Sequence, residues 1–141
     1  MEQRVSLTPD ARQAIEAGVQ LCHRARLAIF TPEHLLAGAL AVLGEGGAPG
    51  LPSPGTIEAT LEMVHGTSDD PPADEVSFSP GARTVLDSLA VVLTRVGRDS
   101  LGARDLALGT IVSGEVTPMF FSALDTTKER LLAALAGGGP A

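Results

Sequence analysis

The stretch "LTPDARQAI" at residues 7–15 has a close counterpart in "FSPGARTVL" at residues 78–86. Each begins with an apolar residue, a hydroxyl residue and a proline, and each continues with Ala-Arg and a second apolar position. The same offset of 71 residues aligns further positions, among them Cys22 with Leu93, Leu35 with Leu106 and Gly38 with Gly109. Because the offset aligns helix-start signals together with core positions, it indicates an internal repeat.

Each copy predicts an amphipathic first helix. Thr8 and Ser79 are N-cap residues, since their side-chain oxygens can accept free backbone N–H groups, and a proline follows each at the first helical position. Apolar residues then recur at three- and four-residue steps. They are Ala11, Ala14, Ile15, Gly18, Cys22 and Ala25 in the first copy, and Ala82, Val85, Leu86, Leu89, Leu93 and Val96 in the second.

The stretch "FTPEHLLAGAL" at residues 30–40 predicts the second helix of the first copy. Thr31 is its N-cap and Pro32 its first residue, and Glu33 and His34 complete the first turn. The buried stripe is expected at Leu36, Leu40 and Leu43. The counterpart in the second copy begins near Gly102 and carries Leu106, Leu108 and Ile111.

The two copies differ in their later helices. In the second copy we expect a short third helix capped by Thr117 and a fourth capped by Asp125. In the first copy residues 44–55 are too rich in Gly and Pro for a regular helix, so the third helix is expected to be lost or reduced to a loop, and a helical period to resume at Thr56.

These patterns predict one all-α domain over residues 1–141, built from two tandem helical repeats related by a pseudo-two-fold axis. The first repeat covers residues 5–65 and the second residues 78–136. An acidic, proline-containing linker at 66–77 joins them, and residues 137–141 form a flexible tail. The linker carboxylates predict a solvated loop or, alternatively, a contact with a basic partner. They are Asp69, Asp70, Asp74 and Glu75.

The composition is that of a globular protein rather than a nucleic-acid binder. A hydrophobic fraction of 44% with a charged fraction of 19% supplies material for a core. The net charge of -7 and the absence of Trp and Tyr argue against phosphate contacts and base stacking.

Hydropathy and cysteine usage predict a cytoplasmic protein without membrane association. The start "MEQRVSLTPD" lacks the layout of a secretory signal. The longest apolar stretch, residues 35–43, is about half as long as a membrane span. Cys22 is the only cysteine, and its place on an apolar face predicts a buried side chain rather than a nucleophile.

The duplicated openings, together with the Glu-His-Leu-Leu motif of residues 33–36, resemble the Clp N-terminal domain, the module that precedes the ATPase rings of ClpA, ClpB and ClpC unfoldases. The resemblance extends over residues 5–136, as a free-standing or excised double-repeat domain. It implies a docking role in regulated proteolysis. The partners would be protein substrates, adaptor or chaperone proteins, or a Clp ATPase, and the domain would have no cofactor and no catalytic residues.

The resemblance also implies a peptide-binding site at the starts of the two second helices, formed by Thr31, Glu33, His34, Arg104 and Asp105. In some family members the motif glutamate receives the guanidinium of phosphorylated arginine, a role that here falls to Glu33 alone. Arg104 and Asp105 stand where the family usually has Glu and His. Since Arg104 repels a guanidinium, binding of phosphoarginine or a basic peptide is expected only in the first repeat.

The residues themselves leave alternatives open for Glu33 and His34. The pair can be a cap, with Glu33 complementing the helix dipole and His34 closing the first turn, or Glu33 can be a guanidinium acceptor. A metal site is not expected because the three histidines are not spaced as a ligand set.

Three functions remain open: the Clp-like binding module, a helical homo-oligomerising protein that keeps only the fold, and an enzyme. We expect no enzyme and no nucleotide hydrolysis, since the chain has no phosphate-binding loop of the P-loop type.

Overall fold

The computed structural model of the chain describes residues 6–45, 50–67 and 76–137. These residues are mostly helical, as the sequence predicts. The helices are α1 (Pro9–Arg24), α2 (Pro32–Glu45), α3 (Pro54–His65), α4 (Pro80–Arg95), α5 (Ala103–Val112), α6 (Pro118–Ala123) and α7 (Lys128–Gly137). Four two-residue strands accompany them: β1 (Ser6–Leu7), β2 (Ile29–Phe30), β3 (Ser77–Phe78) and β4 (Ser100–Leu101).

The two predicted first helices begin where their caps place them. Thr8 Oγ1 accepts a hydrogen bond from the backbone N–H of Ala11 at 3.3 Å. Ser79 Oγ accepts one from Ala82 at 3.1 Å. The helices that follow, α1 and α4, are each 16 residues long. The predicted stripes are buried along most of their length, but Val96 is 65% exposed because α4 ends at Arg95.

Two later helix starts differ from the prediction. Helix α3 begins at Pro54, two residues before the predicted start, because Ser53 Oγ accepts from the N–H of Thr56 at 3.2 Å. Thr127, not Asp125, caps α7: Thr127 Oγ1 accepts from the N–H of Arg130 at 3.1 Å. Asp125 instead has a φ of 59° and terminates α6, a left-handed conformation that Asp tolerates well.

Part of the Gly- and Pro-rich segment is a non-helical loop, as the sequence predicts. Residues 50–53 are not helical, whereas Gly44 and Glu45 still belong to α2. The remaining loop residues, 46–49, the acidic linker residues 68–75 and the tail residues 138–141 lie outside the described residues.

The strands form two parallel pairs that the sequence patterns did not predict. β1 pairs with β4, and β2 pairs with β3. We call residues 6–67 the first half of the chain and residues 76–137 the second half. In each pair, the strand before the first helix of one half contacts the strand before the second helix of the other half. The Phe30 and Phe78 rings stack across the second pair with centroids 4.5 Å apart. The pairs therefore join the two halves at the starts of four helices.

Helix α2 lies at the centre of the fold. Nine consecutive residues, Pro32 to Leu40, are buried, because α1, α3, α4 and α5 all pack against this helix. Leu36 and Leu40 of the predicted stripe are fully buried, whereas Leu43 is only partly so. The predicted stripe is therefore buried or partly buried, but the other residues between Pro32 and Leu40 are buried as well, so this part of the helix has no solvated face.

Candidate functional site

The Glu33 side chain lies in the interior, where it joins three helices. Its exposure is 3%. Oε1 lies 2.6 Å from Nε2 of His65, at the end of α3. Oε2 accepts hydrogen bonds from the backbone N–H of Thr117 at 2.9 Å and from its hydroxyl at 2.8 Å, at the start of α6. We call Glu33, His65 and Thr117 the Glu33 network.

The network keeps the buried carboxylate charged. Burial acts to raise the pKa of Glu33, but the hydrogen bonds from His65 and Thr117 lower it below its ordinary value. Thr117 was predicted to cap α6; it stands at the N-cap position but makes no side-chain capping bond there, because its hydroxyl is directed to Glu33. Neither His65 nor Thr117 was predicted as a partner of Glu33.

The cap predicted for Thr31 and His34 is present. His34 Nδ1 accepts a hydrogen bond from the N–H of Thr31 at 3.2 Å and lies 2.8 Å from its hydroxyl oxygen. In return, that oxygen accepts the N–H of His34 at 3.4 Å. Because Nδ1 is an acceptor, the ring proton resides on Nε2. Burial lowers the pKa of His34 to about 4, so the ring is neutral at neutral pH.

Arg104 and Asp105 occupy the corresponding turn of α5. Asp105 accepts from both terminal nitrogens of Arg98, at 2.9 and 2.8 Å, and from the N–H of Gly102 at 2.9 Å. It therefore caps α5 as His34 caps α2. Burial acts to raise the pKa of Asp105, but the bonds from Arg98 and Gly102 lower it overall. Arg104 is half-buried and makes no side-chain hydrogen bond with the described residues.

The Glu33 carboxylate is not free to accept a guanidinium group from a ligand in this arrangement. Both carboxylate oxygens already have partners, and the side chain is enclosed. A ligand would have to displace His65 and Thr117 and open the contact between α2 and α6. Among residues 6–45, 50–67 and 76–137, no group of three His, Cys, Asp or Glu side chains is placed to hold a metal ion. Cys22 is buried, and its burial raises the thiol pKa to about 12.

One open concave feature of the surface is a groove of about 470 Å³ between α4 and α5. We call it the α4–α5 groove. Its walls are mostly aliphatic, and three of the wall residues are large hydrophobic side chains left in solvent: Val92 is 53% exposed, Val96 65% and Val112 62%. The other aliphatic wall residues are Val85, Leu89, Leu93 and Leu108. None of these was predicted as a site residue.

A residue difference distinguishes the contact between α4 and α5 from the closer packing of α1 and α2. Gly18 lets α2 approach, since a Cβ there would lie 2.6 Å from the carbonyl oxygen of His34. Gly38 faces the carbonyl of Ala14 even more closely. At the position 71 residues after Gly18 stands Leu89, whose side chain lies against Gly109. Leu89 therefore holds α5 away from α4.

The two ends of the groove differ in charge. Near the turn between α4 and α5, Arg98 and Asp105 form an ion pair, so their charges neutralise one another. Asp105 is the one predicted site residue that lines the groove. At the opposite end Glu115 follows α5, and its Oε2 lies 3.1 Å from where a Cβ of Gly81 would stand. Glu115 forms no ion pair with a described residue.

A second depression, of about 650 Å³, lies between α1 and α2. Its lining is more polar and includes Gln13, Glu16, Gln20 and Glu45. Among its wall residues none is a large hydrophobic side chain left mostly in solvent. It therefore offers little apolar surface to a partner.

A scan against models of known protein families finds no match, and a search of curated proteins finds no similar sequence. In the part of the chain that the structure describes, no helix combines the length and the apolar character needed to cross a membrane.

Proposed function

We propose that the chain is a non-catalytic protein-binding module that holds an apolar segment of another protein in the α4–α5 groove. The observation that carries this proposal is the set of solvated valines Val92, Val96 and Val112 around an aliphatic groove. Exposed apolar surface in a concave setting is typical of sites for ligands and partner proteins.

We also propose that the two halves are tandem repeats of the Clp N-terminal domain type. Two observations support this. Helices α1 and α4 have equal length and start 71 residues apart, and β1 and β2 precede β3 and β4 by the same interval. In addition, the turn after each first helix contains a residue with positive φ, Arg26 at 59° and Gly97 at 79°.

In this proposal the partners are substrates or adaptors of a Clp ATPase, or the ATPase itself, in the cytoplasm. The groove in the second half is the binding surface, in place of the predicted site at Thr31, Glu33 and His34. Phosphoarginine binding at Glu33 stays a prediction that requires the Glu33 network to open.

A second candidate function rests on the same valines. In a homo-oligomer they would be covered by a second copy of the chain, and the groove would then have no other partner. Analytical ultracentrifugation distinguishes the two: the binding module is monomeric at micromolar concentration, and the oligomer loses its association when Val92 becomes Asp.

The proposed function is tested with a fluorescently labelled peptide of Leu and Val residues. Val92→Asp places a charge in the groove, and Val91→Asp is the matched control, because Val91 is 50% exposed on the same helix but does not line the groove. We expect Val92→Asp to weaken binding about tenfold or more, since a charge loses its hydration when an aliphatic segment covers it. Val91→Asp should bind as the native chain does. Equal effects of the two substitutions, or no binding by the native chain, would contradict the proposal.

A further inference from the structure

The two ends of the α4–α5 groove carry different charges, while its walls are uncharged. Its walls carry only aliphatic side chains and small hydroxyl residues, and its charged residues lie at the two ends. The Arg98–Asp105 pair at one end is satisfied internally, with N–O distances of 2.9 and 2.8 Å. Arg104 lies beside that pair in the first turn of α5. The Glu115 end, in contrast, carries a carboxylate without an ion-pair partner among the described residues.

The length of the groove limits what it can hold. It runs along α5, whose 10 residues span about 15 Å. An extended chain advances about 3.3 Å per residue, so the groove accommodates about four to five extended residues. The absence of aromatic residues from the walls and their aliphatic character favour branched aliphatic side chains in the bound segment.

Resting on the proposed function, we propose that the groove selects a short aliphatic segment with a Lys or Arg at the end that meets Glu115. The cation of such a residue would reach the exposed Glu115 carboxylate without leaving solvent. At the opposite end the same cation would meet Arg98 and Arg104. A partner with an acidic residue at the Glu115 end would be disfavoured by like charge. This differs from the sequence-based expectation that basic peptides bind only near Glu33.

The test compares three end-blocked peptides that share one aliphatic segment and end in Lys, Gln or Glu. Fluorescence anisotropy gives their affinities for the native chain. We expect the Lys peptide to bind about two- to fivefold more tightly than the Gln peptide, the range of a solvent-exposed ion pair, and the Glu peptide to bind least. The preference should diminish as the salt concentration rises.

Three variants assign the preference to Glu115. Glu115→Gln should abolish it, and Glu115→Lys should reverse it so that the Glu peptide binds best. Asp87→Asn is the control, because it makes the same change in net charge on the exposed surface of α4 without lining the groove. Asp87→Asn should leave the order of affinities intact.

The outcomes separate this inference from the proposed function. If all three peptides bind equally and Val92→Asp still weakens them, the groove binds protein segments but Glu115 does not select them, and the inference is overturned. If Asp87→Asn changes the order as much as Glu115→Gln does, net charge rather than Glu115 is the cause, which also overturns it. If no peptide binds, the proposed function fails and the inference with it.

Discussion

At the scale of single residues, Glu33 shows how a motif residue can be structural. Its carboxylate satisfies the N–H and hydroxyl of Thr117 and meets the His65 ring inside the fold. Removing it leaves those groups without their partner. The capping interpretation of Glu33 and His34 is therefore incomplete, because Glu33 stabilises the approach of α3 and α6 to α2 as well as the start of its own helix.

Glu33→Ala should lower the free energy of unfolding by about 2 to 4 kcal/mol, the cost of breaking a buried, hydrogen-bonded charge. Glu58→Ala is the matched control, since Glu58 forms a solvent-exposed pair with Arg24 at 3.1 Å and should cost no more than about 1 kcal/mol. Urea denaturation followed by circular dichroism measures both. A similar small cost for the two variants would indicate that the Glu33 network does not stabilise the fold.

The lowered pKa of His34 predicts that the free energy of unfolding depends on pH. Its pKa falls from an ordinary value of 6.5 to about 4 on folding, mainly through burial. The unfolded chain therefore takes up a proton at this residue before the folded chain does. Titration of His34 does not lower the free energy of unfolding above pH 6.5, but it lowers it progressively as the pH falls from 6.5 to about 4. The loss amounts to at most about 1.4 kcal/mol per pH unit.

Urea denaturation at a series of pH values from neutral to acidic measures this slope. His34→Gln removes the titrating group and should flatten the slope in that range, whereas His23→Gln, at the end of α1, should preserve it. A slope that is unchanged in His34→Gln would show that other groups cause the pH dependence. The lowered pKa of Glu33 adds a further loss of stability as the pH falls below its ordinary value of 4.5, because the unfolded carboxylate then takes up a proton before the folded one does.

At the scale of elements, the contrast between the two helix pairs determines where a partner can bind. Gly18 and Gly38 allow backbone contact between α1 and α2, while Leu89 fills the matching position between α4 and α5. The first pair consequently has a closed interface, and the second exposes aliphatic side chains. The same helix arrangement thus supplies a rigid core on one side and a groove on the other.

Gly38→Ala should destabilise the protein by about 1 to 3 kcal/mol through overpacking, because the added methyl meets the Ala14 backbone and cannot be accommodated by a side-chain movement. Gly44→Ala in the same helix is the control. Nothing lies near its Cβ position, so better helix propensity should stabilise it by about 0.5 to 1 kcal/mol. Thermal denaturation of the two variants gives the comparison. Equal effects would refute the close approach of α1 and α2.

At the scale of the whole molecule, the two halves depend on each other. Helix α2 is buried from Pro32 to Leu40 by helices of both halves, and both strand pairs join one half to the other. The hydrogen bonds of Glu33 to Thr117 connect residues 84 positions apart. Because neither half alone can bury its apolar faces, we expect the two halves to unfold as one cooperative unit.

Native-state hydrogen exchange should therefore give the same opening free energy for the central residues of α1 and of α4, equal to the free energy of global unfolding. Because the cross-half contacts break together, no state with only one half folded should be populated. Slower exchange in one half at intermediate urea concentration would contradict this expectation.

The sequence predicted what is local and missed what depends on distant residues. The starts of α1 and α4 follow from a hydroxyl residue and a proline, so their positions were predicted correctly. The burial of Glu33 depends on His65 and Thr117, 32 and 84 residues away, which no spacing rule connects. The strands have two residues each, too few for an alternating pattern, and the groove depends on the contact between Leu89 and Gly109, which lie on different helices.

The measurement that tests the central claim most directly is methyl NMR of the native chain, labelled at valine, during titration with the aliphatic Lys peptide. We predict that the signals of Val92, Val96 and Val112 shift with a common saturation curve. The signals of Val91, outside the groove, and of Val42, in the depression between α1 and α2, should remain in place. Shifts confined to Val42 and its neighbours, or spread evenly over all valines, would contradict the assignment of the α4–α5 groove as the binding site.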